Sequence, residues 1–156
     1  MFQACLKHRE SRGGTRLARA FPEVSTMGFW SKLLGPRREV LPVSVRGQDE
    51  FRAEVLQSPL PVIVDVWGPS CAPCKMLEPV MVDIATRYEG RVRVVEVSTE
   101  GEPALLSRLG VMATPTVLVF HQGKEFGRVS GYHPASWFEE MIEAEFPEGA
   151  GAESAR

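Results

Sequence analysis

The chain has 156 residues, 44% of them hydrophobic and 24% charged, with 18 Lys and Arg against 20 Asp and Glu for a net charge of -2. That length fits one domain with extensions, and the near-neutral balance removes any global electrostatic case for a nucleic-acid partner. Three cysteines are too few for a disulfide framework, and no apolar run reaches the ~18 residues of a membrane-spanning helix, so stable membrane insertion is not expected.

The front segment, residues 1–26, is basic: Lys7, Arg9, Arg12, Arg16 and Arg19 face only Glu10 and Glu23. It reads as a solvated tail or as an organelle transit peptide, and it lacks the apolar stretch of a secretory signal. Met27 offers an alternative start. Met27-Gly28-Phe29-Trp30-Ser31-Lys32-Leu33-Leu34 is a short amphipathic patch expected to pack on the domain, and Gly35-Pro36-Arg37-Arg38 is a linker. From residue 40 the pattern becomes regular. Val43-Ser44-Val45 predicts a short strand, and residues 48–57 a helix with Phe51, Val55 and Leu56 on one face. Residues 62–67 form a nearly continuous β-branched run, which suits a strand covered on both faces.

Met76, Leu77, Val80, Met81, Ile84 and Ala85 then recur at helical spacing, with Met76 and Met81 expected in the core and Pro79 expected to interrupt and kink the helix. A strand over 92–97, a short helix over 103–109 and a strand over 116–120 follow. His121-Gln122-Gly123-Lys124 is a hairpin turn leading into a partner strand to residue 130. Pro134 begins a last helix running to 146, with Trp137, Phe138, Met141 and Ile142 inward. His121 and His133, in turn-like surroundings, are expected to be solvated. The order β-α-β-α-β-α-β-β-α predicts an α/β fold: a central mixed sheet, parallel where strands alternate with helices and antiparallel at the closing hairpin, with helices on both faces. Three segments result: a basic extension and linker (1–39), a folded domain (40–146) and a loose tail (147–156).

Cys71-Ala72-Pro73-Cys74 lies between the buried run and the helix that follows it. Two cysteines three residues apart share the first turn of a helix, where free backbone N–H groups and the positive end of the dipole favour an anion. For cysteine that anion is the thiolate, the form that attacks disulfides, so the pair reads as a dithiol cycling with a disulfide. Ser70 is placed to cap the helix. The same spacing also occurs in zinc sites, which usually use four ligands. The nearest additional pair is Cys5 and His8 in the front segment, so no metal and no bound cofactor are expected.

Taken together, Val64-Asp65-Val66-Trp67, Cys71-Ala72-Pro73-Cys74-Lys75, Thr114-Pro115-Thr116 before a strand, and a late Gly131 resemble the thioredoxin family over residues 40–146. The resemblance implies the thioredoxin fold and a role for each matching residue. Cys71 is the exposed nucleophile and Cys74 the buried resolving thiol. Asp65 is a buried carboxylate beneath Cys74 that accepts its proton. Thr114-Pro115 is a cis bond against the dithiol, leaving the Thr114 backbone to pair with an extended substrate. A client-binding rim is expected from Trp67, Pro73, Met112, Pro115 and Tyr132, alongside Thr114 and Gly131.

Two departures from the family pattern stand out. Ser70 and Ala72 replace the usual aromatic and glycine around the first cysteine. Glu96 occupies the strand position where a lysine often partners the buried aspartate; if Glu96 points inward, Asp65 should hold its proton more tightly. The function expected is protein-disulfide reduction by dithiol/disulfide exchange, an electron-carrier role in cell redox homeostasis. The alternatives are an oxidant or isomerase, or a binding or chaperone module on the same fold. Expected partners are disulfide-containing client proteins and a thioredoxin reductase as electron donor, with the protein a monomer. The expected compartment is the cytoplasm, or an organelle if the basic segment is a transit peptide.

Overall fold

In a computed structural model, which describes residues 38–147, the β-branched run becomes the central strand of a five-stranded sheet. The basic segment, the amphipathic patch, Cys5, His8 and the tail from residue 148 lie outside the described residues. The elements are β1 (Val43–Ser44), α1 (Gly47–Phe51) continued by a wider π-wound turn (Arg52–Leu56), β2 (Val62–Trp67), α2 (Ala72–Arg87), β3 (Arg93–Ser98), α3 (Pro103–Leu109), β4 (Thr116–His121), β5 (Lys124–Ser130) and α4 (Ala135–Glu145). The strand order is β1-β3-β2-β4-β5. β3 runs parallel to both β1 and β2, whereas β4 is antiparallel to β2 and to β5. This is the mixed sheet that the order of elements predicts.

The period of two in a strand sorts side chains to opposite faces. Val62, Val64 and Val66 of β2 join Phe51, Val55, Val95, Val97, Leu105 and Leu118 in one core layer under α1 and α3. Ile63 faces the other way, with Val94, Val117, Leu77, Met81, Ile84, Phe138 and Ile142 under α2 and α4. Helices therefore cover both faces, and β2 is buried at every residue but Trp67, which is half-buried.

Four expectations need correction. Leu56, the last residue of the π-wound turn, is 37% exposed while Phe51 and Val55 go inward. Its backbone carbonyl lies against Gly123 in the β4–β5 turn. Met76 is 57% exposed whereas Met81 is in the core, because the buried stripe of α2 runs through Cys74, Leu77, Met81, Ile84 and Ala85. Pro79 lies within α2 without interrupting it. Pro134 is the residue that precedes α4, in extended geometry, with Ala135 opening the helix.

The hairpin turn is Gln122-Gly123, both at positive φ (51° and 73°), as a two-residue connection matched to strand twist requires. A register shift between Val119 and Phe120 marks a bulge in the β4–β5 pair. A Cβ at position 123 would sit 2.8 Å from the Leu56 carbonyl oxygen. Gly123→Ala therefore meets both a left-handed backbone and a rigid neighbour. It is expected to destabilise the domain by at least about 1–2 kcal/mol, read as a lower urea midpoint with unchanged slope.

Candidate active site

The site begins where β2 ends. Trp67 gives way to Gly68, whose carbonyl accepts a hydrogen bond from the Cys71 N–H at 3.1 Å, a tight turn that lifts the chain onto α2. Space there is limited: a Cβ on Gly68 would lie 3.1 Å from Thr99 Oγ1 and 3.5 Å from Thr114 Oγ1. Cys71 itself is the N-cap of α2, in extended geometry, and its Sγ accepts the Cys74 backbone N–H at 3.2 Å. The cap is thus the cysteine and not Ser70, which stands one residue too early and is exposed. Sulfur here takes the place of the oxygen that usually satisfies a free N–H at a helix start. Pro73 occupies the first turn, where its missing N–H costs nothing.

Cys71 and Cys74 are joined in a disulfide, with S–S 2.03 Å and Cα–Cα 5.3 Å. The two sulfurs have different surroundings: Cys71 is half-buried and Cys74 is 4% exposed. Cys71 and Pro73 line a shallow surface depression together with Thr99 and Thr114. Cys74 lines a second cavity on the inner side, with Asp65, Trp67, Lys75, Glu78 and Glu96.

Asp65 arrives there by strand parity. It is two residues from Ile63, so it points to the α2 face, and it is 5% exposed. Its Oδ1 is buried without a hydrogen-bond partner, as is Trp67 Nε1. Its carboxyl is pushed up to about 7, chiefly by burial, then by the charge of Glu96 and then by that of Glu78. Glu96 is its direct neighbour across the parallel β2–β3 pair, on the same face by the same parity. Burial and Glu78 raise the Glu96 pKa too, against a hydrogen bond from Ser44 that lowers it.

Of the remaining candidate residues, Thr114 shares the surface depression with Cys71 and Pro73, whereas Met112, Pro115, Gly131 and Tyr132 do not line it. The Thr114–Pro115 bond is cis. Thr114 is half-buried and Pro115 buried, so Pro115 shapes the loop without presenting a broad surface. Thr116 Oγ1 donates to the Ala113 carbonyl at 2.7 Å and the Gly131 N–H to the Pro115 carbonyl at 2.9 Å, fixing the loop to the start of β4 and the end of β5. Gly131 has φ 89°. Met112 is 95% exposed and Tyr132 42%. The two histidines are half-buried and not simply solvated: His121 lies 5.2 Å from the Phe146 ring and His133 4.7 Å from the Trp137 ring.

Sequence reasoning missed Glu78, which looked like one of the polar residues between the apolar positions of α2. Its spacing of four from Cys74 is the signal that could have found it. It also missed Gly68, whose position between the buried strand and the dithiol marks a close approach. Among the described residues no group of three or more His, Cys, Asp or Glu is arranged to hold a metal.

What this arrangement does chemically is exchange a dithiol for a disulfide, which places the protein among the protein-disulfide oxidoreductases. Residues 42–144 match the family profile described as Thioredoxin. Similar proteins include Thioredoxin 1 of Nostoc sp., 40% identical over 93 residues (60% of this chain and 87% of that protein). The thioredoxin of Synechocystis sp. is 39% identical over 93 residues, again 60% and 87% of the two chains. The M-type chloroplastic thioredoxin of Chlamydomonas reinhardtii is 34% identical over 111 residues, 69% of this chain and 79% of that one. The chain belongs to the thioredoxin family.

A buried acid with a raised pKa makes stability depend on pH. Below about pH 4 the folded and unfolded chains both keep the Asp65 proton. Between the model-compound value of 3.8 and about 7 only the folded chain keeps it. Stability contributed by this group therefore falls as pH rises through that window, and above about 7 the loss is complete. At 1.36 kcal/mol per pKa unit the full span is about 4 kcal/mol. In the oxidised protein, the stability advantage of Asp65→Asn over the parent is expected to widen by up to that amount between about pH 4 and 8. A pH-independent difference in unfolding free energy would refute the buried-charge account.

Proposed function

We propose that the protein reduces disulfides of client proteins, with Cys71 as nucleophile, Cys74 as resolving thiol and Asp65 as proton acceptor, the chemistry residing in residues 40–146. The observation that carries this reading is the asymmetry of the pair: the outer sulfur is half-buried at a helix start, and the inner sulfur shares a cavity with the Asp65 carboxyl, whose Oδ1 has no hydrogen-bond partner.

In the reduced protein the helix start and the Cys74 N–H favour Cys71 as thiolate. Cys71 attacks one sulfur of a client disulfide, the client S–S bond breaks, and the departing client thiolate takes a proton from water. A mixed disulfide now links Cys71 to the client. Cys74 gives its proton to the Asp65 carboxylate and attacks Cys71 Sγ. The 71–74 bond forms, the mixed disulfide breaks, and the second client sulfur leaves as a thiolate. The client gains two electrons and the dithiol loses two.

Trp67, Pro73, Met112, Thr114, Pro115, Gly131 and Tyr132 form the client site in this reading. Met112 and Tyr132 offer exposed apolar contact, and the Thr114 main chain pairs with an extended client segment. Oxidised protein is returned to the dithiol by a thioredoxin reductase, and the protein works as a monomeric electron carrier. We assign it to the cytoplasm, a reducing compartment suited to a chain with three cysteines. Among the described residues no helix is long and apolar enough to cross a membrane.

Two measurements test the reading. Cys71→Ser is expected to abolish insulin-disulfide reduction, whereas Cys74→Ser is expected to accumulate a mixed disulfide visible on a nonreducing gel; full turnover by the Cys74 variant contradicts the scheme. The reduction potential of the 71–74 pair is expected nearer to about -270 mV than to the about -180 mV of an isomerase. A value at the isomerase end would reassign the direction of electron flow.

A further inference from the structure

The mechanism leaves one proton in an awkward place. Asp65 is 5% exposed, and a buried acid that has taken a proton must exchange it with solvent before the next cycle. The fold supplies a route. β2 and β3 run in parallel with Asp65 beside Glu96, and strand parity places both under α2. Cys74 and Glu78 lie four apart on α2, hence on one side of the helix. These four residues, with Trp67 and Lys75, line one cavity of about 320 Å³, against the ~30 Å³ that a water occupies in the liquid.

The polarity of this cavity is graded. At its inner end are an acceptor, Asp65 Oδ1, and a donor, Trp67 Nε1, both buried and unpartnered. Exposure rises from Asp65, which is buried, to Glu96, which is half-buried, to Glu78, which is exposed. The charged neighbours of Asp65 are therefore Glu96 from β3 and Glu78 and Lys75 from α2; β4 faces it with the uncharged Val117.

We propose that Glu96 is a positioning residue for the resolving step, relaying the proton between Asp65 and solvent across the cavity, with Glu78 at its mouth. The proposal rests on the reading of Asp65 as acceptor of the Cys74 proton. An Asp65 that still holds a proton when the mixed disulfide forms must lose it before it can accept that of Cys74: Asp65 gives this proton to the Glu96 carboxylate, directly or through cavity water, Glu96 releases it to bulk water, and Asp65 then takes the proton of Cys74. No electrons move, and both carboxyls return to their starting state. On re-reduction the same path runs inward. Because Glu96 also raises the Asp65 pKa, a relay and a purely electrostatic role predict opposite effects of removing its charge.

The test is the lifetime of the mixed disulfide formed from reduced full-length protein and oxidised glutathione, acid-quenched and quantified by mass spectrometry from about pH 6 to 9. Parent, Asp65→Asn, Glu96→Gln, Glu96→Asp and Glu78→Gln are compared with and without added imidazole. Glu96→Gln is expected to lengthen the lifetime about tenfold, less than the ~10²–10⁴ of a group that transfers the proton directly. Imidazole is expected to restore Glu96→Gln but not Asp65→Asn, Glu96→Asp to keep most of the parental rate, and Glu78→Gln to show a smaller delay. A parental lifetime for Glu96→Gln, or a shorter one below about pH 7 without any imidazole effect, assigns Glu96 an electrostatic role alone and overturns the relay. A parental lifetime for Asp65→Asn instead removes the acceptor itself, and the relay with it.

Discussion

One strand covered on both faces sets the terms for this site. β2 has apolar neighbours above and below, so any polar group it carries is withdrawn from water by the packing of the whole domain. It carries a single carboxyl, at position 65, and parity alone sends that carboxyl beneath the helix that begins with the dithiol. The cost of keeping it there is spread over two core layers, and its benefit is local: a carboxyl that holds or releases a proton near neutral pH instead of near 4.

The two sulfurs acquire different surroundings through the geometry of one helical turn. A residue at an N-cap has its side chain pointed back at the free N–H groups, whereas one three positions later has turned toward the sheet. Cys71 is therefore held by a backbone donor at the surface, and Cys74 is pressed into the interior. No further catalytic apparatus is needed to make them unequal. The carboxylates around the inner cavity extend this division. Acidic groups that look scattered in the chain, on β2, β3 and α2, meet because parallel strands pair in register and a helix repeats every four residues or so.

Much of this was legible in the residues. The β-branched run, the position of the cysteines and the two-residue turn each have a local physical cause, and each element appears where those causes place it. The neighbouring placement of Asp65 and Glu96 came from the family resemblance, conditional on Glu96 pointing inward, and the strand register bears it out. What escaped had nonlocal causes. Met76 escaped because Cys74 belongs to the buried stripe with Leu77, Met81, Ile84 and Ala85, which leaves position 76 on the outer side of α2. Leu56 turned outward because the helix before it changes its winding, which a hydrophobic pattern does not encode. Ser70 satisfied every sequence rule for a cap and lost the position to Cys71, since sulfur is rarely considered for that role. Glu78 went unnoticed because an acid on an amphipathic helix is ordinarily just its wet side.

The sheet has two edges, and both are poor templates for another chain. β1 contributes two residues, too few for a lengthy ladder. On the opposite side β5 carries Lys124, Glu125 and Arg128 on exposed positions and is bent by the bulge at Val119/Phe120. Short length, charge and distortion are the devices by which open sheets avoid edge-to-edge polymerisation. A protein that exchanges disulfides with other chains thus keeps its own strand edges from recruiting one another.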